Sequence, residues 1–284
     1  MPELPEAEVV AQQIRACLVG ATLMDIWIGR ADIVREGLSA RSWYDESCLR
    51  AVERYGKSIA LEFRKKDDVR YIVAELGMTG LLLFDSVSVK HPQHVHVRLS
   101  FTGGREAELR YWNPRRFGRL SLLDAAGLDR YVSRRFGCDP LKVSQAEFTS
   151  LLKGRRARLK PFLMHQKNIA GIGNIYANEI LFRAGLHPNH LASRLRPAKI
   201  EHLYEITQAV LSEAITYGGS SVRDFFAPDG SEGQYKRCHL VYGKQGQPCP
   251  NLCGGIIRRL QSERSSFYCP ICQGHRARKA LQKH

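Results

Sequence analysis

The sequence predicts an α+β protein of more than one domain, and three observations carry that prediction. Residues 22 to 123 break into short strand candidates separated by turn residues. Capped helical segments follow, between about residues 144 and 217. Two close cysteine pairs, Cys249/Cys253 and Cys269/Cys272, then stand fifteen residues apart near the C-terminus. A length of 284 residues suits about two domains, each with its own core.

Taken in order, Ala7, Val10, Ile14, Cys17 and Leu18 recur at helical spacing, with Pro5-Glu6 suited to a first turn and Gly20 placed to stop it. A helix therefore begins almost at the N-terminus and holds the first residues in structure. Strand candidates follow at Leu23 to Ile28, Ile59 to Phe63, Tyr71 to Leu76, Leu81 to Phe84, Val95 to Phe101, Leu109 to Trp112 and Leu120 to Leu123. Lys66-Asp67-Asp68 and Thr102-Gly103-Gly104 are turn signals between them. This half reads as a β-sandwich or barrel with a leading helix.

Gly137-Cys138-Asp139-Pro140 marks a boundary. Ser144-Gln145-Ala146-Glu147 is a capping box for a helix ending near Lys153-Gly154. Arg155, Arg156, Arg158 and Lys160 crowd one short segment, which is self-repelling unless phosphates face it. Asn168 to Asn174 is a glycine-bearing turn feeding a helix over Ile175 to Ala184, with Asn174 as N-cap and Gly185 as C-cap. Such a turn presents N–H groups to a phosphate, or is a plain interhelical connection. Arg196-Pro197 opens a helix to Tyr217, and Gly218 to Gly233 reads as a loop.

The cysteine pairs have the spacing of a zinc ribbon holding one tetrahedral ion. Gly254-Gly255 follows the first pair, and Ile256 to Leu260 and Ser266 to Tyr268 supply two strands. A redox Cys-x-x-Cys or two disulfides are the alternatives, and neither explains both pairs as simply. The first pair is C-x3-C, one residue longer than the familiar knuckle. Four thiolates leave no position for substrate, so the ion's role is structural.

The 43 Lys and Arg against 28 Asp and Glu leave a formal charge of +15, and Arg258, Arg259 and Arg264 fall inside the cysteine ribbon. Nucleic acid is the leading partner, because neutralising phosphates releases counterions. A membrane surface is weaker, since no long apolar run or basic amphipathic helix stands out. Pro2-Glu3-Leu4-Pro5-Glu6 is acidic where a signal peptide needs positive charge. With Cys17, Cys48, Cys138 and Cys238 scattered singly, a reducing, intracellular, cytoplasmic location is expected.

Three stretches together resemble the formamidopyrimidine-DNA glycosylase (Fpg) family, within the Fpg and endonuclease VIII group. They are Met1 to Glu6, Asn113-Pro-Arg-Arg-Phe-Gly118, and the Cys249 to Cys272 ribbon with Arg264; Gly171 to Ala177 is similar to the family's helix-two-turn-helix. The resemblance implies an N-terminal β-sandwich with a leading helix over 1–136, a helical helix-two-turn-helix domain over 137–240 with a lesion loop at 218–233, and a β-ribbon zinc finger over 241–284. It implies a base-excision-repair enzyme that excises oxidised purines such as 8-oxoguanine and formamidopyrimidines, then cleaves the abasic site by β,δ-elimination. The expected partner is double-stranded DNA carrying an oxidised base or abasic site, the cofactor one structural zinc, and the protein a monomer.

The site residues follow from that resemblance, and their chemistry agrees with it. With Met1 removed, Pro2 offers a terminal amine of pKa near 8, about a tenth neutral at pH 7, where a lysine is neutral about once in two thousand. That gap is worth roughly 3 kcal/mol of nucleophile activation. Glu3 matches the carboxylate that shuttles protons and opens the sugar ring. Glu6 supports it or favours the helix N-terminus. Lys57 matches a second catalytic amine and phosphate contact. Arg264 matches the residue for δ-elimination, where a permanent charge favours phosphate stabilisation.

Chemistry on a base inside a duplex requires extruding it, and the hole must be filled. Met78, Arg115 and Phe117 match the void-filling trio: two apolar wedges and one guanidinium for the orphaned base. His94, Arg116 and Arg155 match DNA-contacting positions, and Lys160, Asn174 and Arg223 match phosphate or lesion-loop contacts. Glu75 stands where the family is expected to place a phosphate-binding histidine, and Arg223 where lysine is usual. Two rival readings are an endonuclease VIII-like enzyme for oxidised pyrimidines, which Arg115-Arg-Phe117 argues against, and a non-catalytic damage-binding zinc-ribbon protein.

Overall fold

The computed structural model describes residues 2–89, 91–221, 225–261 and 264–274. The chain divides into two compact units, one of residues 1–136 and 214–236, the other of residues 137–213 and 237–284. The loop expected with the helical part, 218–233, belongs to the first unit, and the cysteine ribbon belongs with the helices of the second.

In the first unit, α1 (Leu4–Leu18) leads into nine strands: β1 (Thr22–Ile28), β2 (Val34–Glu36), β3 (Ser47–Tyr55), β4 (Ser58–Lys65), β5 (Asp68–Glu75), β6 (Leu81–Phe84), β7 (Val95–Thr102), β8 (Glu108–Trp112) and β9 (Arg119–Asp124). They form one sheet in the order β2-β9-β5-β4-β3-β1-β7-β8-β6, antiparallel except for the β2/β9 pair. The sheet, with β2 and β6 at its edges, folds over so that its two halves face each other as in a sandwich. Leu61 and Ile72 from one half and Val97, Leu99 and Leu109 from the other line the same small interior space. The apolar face of α1, with Val10, Ile14 and Leu18, joins this core. The nine residues of β3 escape sequence reading because a bulge between Leu49 and Ala51 breaks the period-two pattern. Asp124 caps α2 (Ala125–Arg135), accepting from Gly127 N–H at 2.7 Å.

The second unit holds α3 (Gln145–Leu152), α4 (Leu159–Met164), α5 (Asn174–Arg183), most of α6 (Pro197–Thr216), and the β10 (Arg258–Leu260) and β11 (Ser266–Tyr268) hairpin. Ser144 and Glu147 form the capping box that the sequence predicts. Asn174, expected as the N-cap of α5, is instead its first helical residue, and Gly173 is the cap. The extended backbone of Gly173 makes the turn, so no side-chain cap is used. Gly185 ends the helix at φ +64°, the left-handed conformation that favours glycine.

Candidate active site and nucleic-acid interface

The first turn of α1 gathers three expected residues. Pro2 is buried immediately before the helix, and Glu3 and Glu6 are each 2% exposed. Glu3 is the N-cap and Glu6 the third helical residue of a reciprocal capping box, with Glu3 N–H donating to Glu6 Oε2 at 2.7 Å. The other Glu6 oxygen accepts from Ser220 N–H at 2.6 Å. A Cβ on Gly219, at φ +80°, would lie 2.8 Å from that carboxylate oxygen. Glu6 thus serves both as a helix cap and as the anchor of the 218–233 loop. Sequence reading leaves those roles open because the second partner lies 214 positions away.

Lys57 sits in the two-residue turn joining β3 to β4, with Gly56 at φ +58°. Arg54, 5% exposed, fixes this turn to α1: its Nε donates to Glu8 at 2.8 Å and its Nη1 to the Gly56 carbonyl at 3.1 Å. The amine expected at Lys57 is therefore tied to the helix that begins after Pro2.

The proposed wedge residues occupy two touching loops. Met78 lies between β5 and β6, 44% exposed, and Phe117 between β8 and β9, 55% exposed. Arg115 stacks its guanidinium over the Phe117 ring at 4.7 Å. Two glycines let the loop backbones meet. A Cβ on Gly77 would lie 2.5 Å from Gly118 N, and one on Gly118 would lie 2.1 Å from Glu75 O and 2.2 Å from the Tyr111 hydroxyl. Under the second loop, fully buried Asn113 donates to the Tyr111 hydroxyl at 2.9 Å and accepts from Arg116 N–H at 3.0 Å. Tyr111 donates in turn to Glu75 O at 2.6 Å, and His96 Nε2 donates to Asn113 O at 3.0 Å. The two exposed apolar tips thus stand on a satisfied buried network. His94 borders it, since its carbonyl accepts from Asn113 N–H at 2.9 Å. Arg116, at φ +51°, points to Asp32 at 3.3 Å.

Glu75 carries a carboxylate where the resemblance places a phosphate-binding histidine. It meets Arg35 Nη2 at 3.2 Å and, as an ion pair outside hydrogen-bond geometry, Arg135 Nη1 at 3.0 Å. Two cations answer its charge within the same unit.

In the second unit, Arg264 lines a cleft of about 400 Å³ together with Arg158, Lys160, His165, Asn189 and Ser266. Lys160 is 3% exposed, and its ammonium donates to Ser265 O at 2.7 Å, Ser266 Oγ at 2.9 Å and Arg264 O at 3.2 Å. These bonds hold the ribbon segment that carries Arg264. Arg155 is exposed after Gly154, which turns at φ +70°. Asn174 is half-buried, and its carbonyl accepts from Asn178 Nδ2 at 2.6 Å. Asn178 Oδ1 accepts from Phe267 N–H at 2.7 Å, which couples α5 to β11. Arg223 lies outside the described residues.

Sequence reading missed the buried and half-buried polar residues that position these groups. Gln166 accepts from Gly171 N–H at 2.8 Å and donates to the Ile172 carbonyl at 2.9 Å, shaping the turn into α5. Glu179, with no exposure, accepts from the backbone N–H groups of Leu240, Val241 and Tyr242 at 2.8, 3.1 and 2.8 Å. Burial pushes its pKa up, and the three donors oppose that shift.

The sulfurs of Cys249, Cys253, Cys269 and Cys272 lie within 4.8 Å of one another, an arrangement that can hold a metal ion. Zn–S bonds near 2.3 Å place tetrahedral sulfurs about 3.8 Å apart. The sulfur pairs at 3.7, 3.5 and 3.4 Å fit that spacing. A Cβ on Gly255 would lie 2.7 Å from the Cys269 sulfur, so the turn requires glycine. Leu252 absorbs the extra residue of the C-x3-C spacing, standing at φ +53° and 92% exposed.

Among the described residues, no helix is long and apolar enough to cross a membrane. Residues 1–120 match the formamidopyrimidine-DNA glycosylase N-terminal domain, and residues 136–226 match the formamidopyrimidine-DNA glycosylase H2TH domain. The formamidopyrimidine-DNA glycosylase of Solibacter usitatus is 37% identical over 277 residues, covering 96% of this chain and 99% of that protein. Its counterpart in Nitrosococcus oceani is 37% identical over 284 residues, covering 96% and 100%. A Lactococcus lactis Fpg variant complexed with Fapy-dG-containing DNA superposes with a TM-score of 0.85 at 28% identity, covering 96% and 100% of the two chains. MutM (Fpg) of Thermus thermophilus superposes with a TM-score of 0.82 at 32% identity, covering 96% and 99%. With both domains matched in order and these relatives aligned over nearly their whole length, the chain belongs to the formamidopyrimidine-DNA glycosylase family.

Proposed function

We propose that this chain is a DNA glycosylase for oxidised purines and an abasic-site lyase that works from the N-terminal amine of Pro2. The observation that carries this reading is the α1 start, where Pro2 is buried directly before Glu3 and the Arg54–Glu8 pair ties the Lys57 turn to the same helix. The nitrogen of Pro2 attacks sugar C1′ as the C1′–N bond to the damaged base breaks, and the base leaves with a proton. Glu3 is the carboxylate that moves protons as the ring opens. A secondary amine gives an iminium that cannot lose its charge by deprotonation at nitrogen, so the C2′ proton becomes acidic. Its removal expels the 3′ phosphate, and a second elimination, with Arg264 facing the phosphate, expels the 5′ phosphate.

The stacked Arg115–Phe117 pair and Met78 have the exposure and residue types to enter the gap left by an extruded base. The four cysteines fit one structural zinc ion, which fixes the ribbon bearing Arg264. No reaction step passes through that ion. The test is excision from duplexes carrying 8-oxoguanine opposite cytosine or thymine glycol opposite adenine. Release of 8-oxoguanine well ahead of thymine glycol is expected, and the reverse order would make this an endonuclease VIII-like enzyme.

A further inference from the structure

We propose that Glu75 is an electrostatic brake on DNA binding: its carboxylate occupies Arg35 and Arg135, two arginines otherwise placed to take DNA phosphates beside the Met78, Arg115 and Phe117 tips. This rests on the reading that those tips enter the duplex. Glu75 ends β5, three residues before Met78, so the two lie at most about 11 Å apart along the chain. A backbone that wraps the inserted tips therefore passes within reach of Glu75 and its partners.

Arg35 stands on the edge strand β2, and Arg135 stands in the last turn of α2, lying over the Tyr131 ring at 4.4 Å. Their side chains are 39% and 35% exposed, whereas that of Glu75 is 19% exposed. The guanidinium groups thus face water while the carboxylate sits beneath them. The three charges sum to one positive charge. A phosphate arriving there must displace or share donors the carboxylate already holds, and it meets the carboxylate's repulsion. Removing that one charge doubles the local positive charge without deleting a donor. The Glu75 side chain is also separable from the loop network, because its main-chain carbonyl, not its carboxylate, accepts from Tyr111. The Tyr131 hydroxyl also faces this carboxylate, and in Glu75→Gln it retains its bond to Ser58 at 2.9 Å.

The test is the affinity of the full-length protein for an undamaged duplex, by fluorescence anisotropy across a sodium chloride series, for the wild type, Glu75→Gln, Arg35→Met and the double variant. Each phosphate contact adds about 0.9 to the slope of log affinity against log salt. Glu75→Gln should bind more tightly, with a slope steeper by about 0.9 to 1.8, so its advantage shrinks about 3- to 12-fold between 50 and 200 mM salt. Arg35→Met should change the wild type less than about twofold yet remove about 0.9 of slope in the Glu75→Gln background. Equal or weaker binding by Glu75→Gln, or an unchanged slope, would show that the carboxylate merely fastens β2 and α2 to β5. A loss of about 0.9 of slope from Arg35→Met alone would also overturn the proposal, because Arg35 would then already contact phosphate. A wild-type protein whose DNA binding ignores salt would overturn the glycosylase reading as well; an unchanged variant slope overturns only the brake.

Discussion

Replacing Gly118 by alanine tests whether the two wedge loops are held together as described. The new Cβ would lie 2.1 Å from Glu75 O and 2.2 Å from the Tyr111 hydroxyl, and the first contact must open by about 1.3 Å to become ordinary. Neither atom is the free end of a flexible side chain. One is main chain, and the other donates to Glu75 O and accepts from buried Asn113. Crowding a packed site costs about 1 to 3 kcal/mol, and losing one of these bonds while stranding a buried group adds about 1 to 3 kcal/mol. The expected loss is about 3 kcal/mol, which in a unit of this size lowers the melting temperature by about 6 to 12 °C. Calorimetry of the full chain reads that shift. Single-turnover assays read the consequence: 8-oxoguanine release, which needs base extrusion, should slow more than cleavage of a preformed abasic site. A variant that melts within about 2 °C of the wild type and releases base at the same rate would refute the Gly77–Gly118 packing argument.

Arg54→Met leaves the part-buried Glu8 carboxylate with Gln12 as its donor and frees the Gly56 carbonyl, which should cost about 1 to 3 kcal/mol and slow strand cleavage through the displaced Lys57 turn; unchanged thermal stability in calorimetry would contradict this. Chelation, or Cys253→Ala, should remove one zinc per chain and weaken DNA binding through the ribbon that carries Arg264, as read by metal analysis and anisotropy; a native protein purified without metal and fully active would contradict it. His96 is 5% exposed, and its pKa is lowered, first by burial. A depressed folded-state pKa means that the unfolded chain binds the proton more readily. The stability His96 contributes is therefore complete above about pH 6.5 and is lost as pH falls through the lower folded value. Melting temperature should drop on acidification from about pH 7 to pH 5, and His96→Gln should flatten that drop; identical profiles would remove His96 as its cause.

What the sequence made legible was set by how local each signal is. The Ser144–Glu147 box, the glycine ends of α1 and α5, and the cysteine spacing are each written within a few residues, and the structure repeats them. The roles proposed for Met78, Phe117, Pro2, Glu3 and Glu6 rest on the family's motifs alone, because an exposed Phe117 or Met78 has no periodic signature. The supporting network was not legible. Asn113, His96 and Tyr111 meet across two strands and a loop, and Glu179 reaches backbone donors more than 60 positions away. For Lys160 the fold adds what the run of neighbouring cations does not show: its ammonium donates to three ribbon oxygens. Glu75 reads as a departure in the sequence, and only the fold supplies Arg35 and Arg135, which lie 40 and 60 positions from it.

The most direct test of the account is borohydride trapping on a duplex with one 8-oxoguanine opposite cytosine, followed by peptide mapping of the cross-link. A reduced adduct on a peptide that begins at Pro2 is the predicted result, since only an iminium between that amine and C1′ can be captured there. An adduct on Lys57 alone, or none on this or an abasic-site duplex by a protein that still binds both, would contradict the assignment of Pro2 as nucleophile.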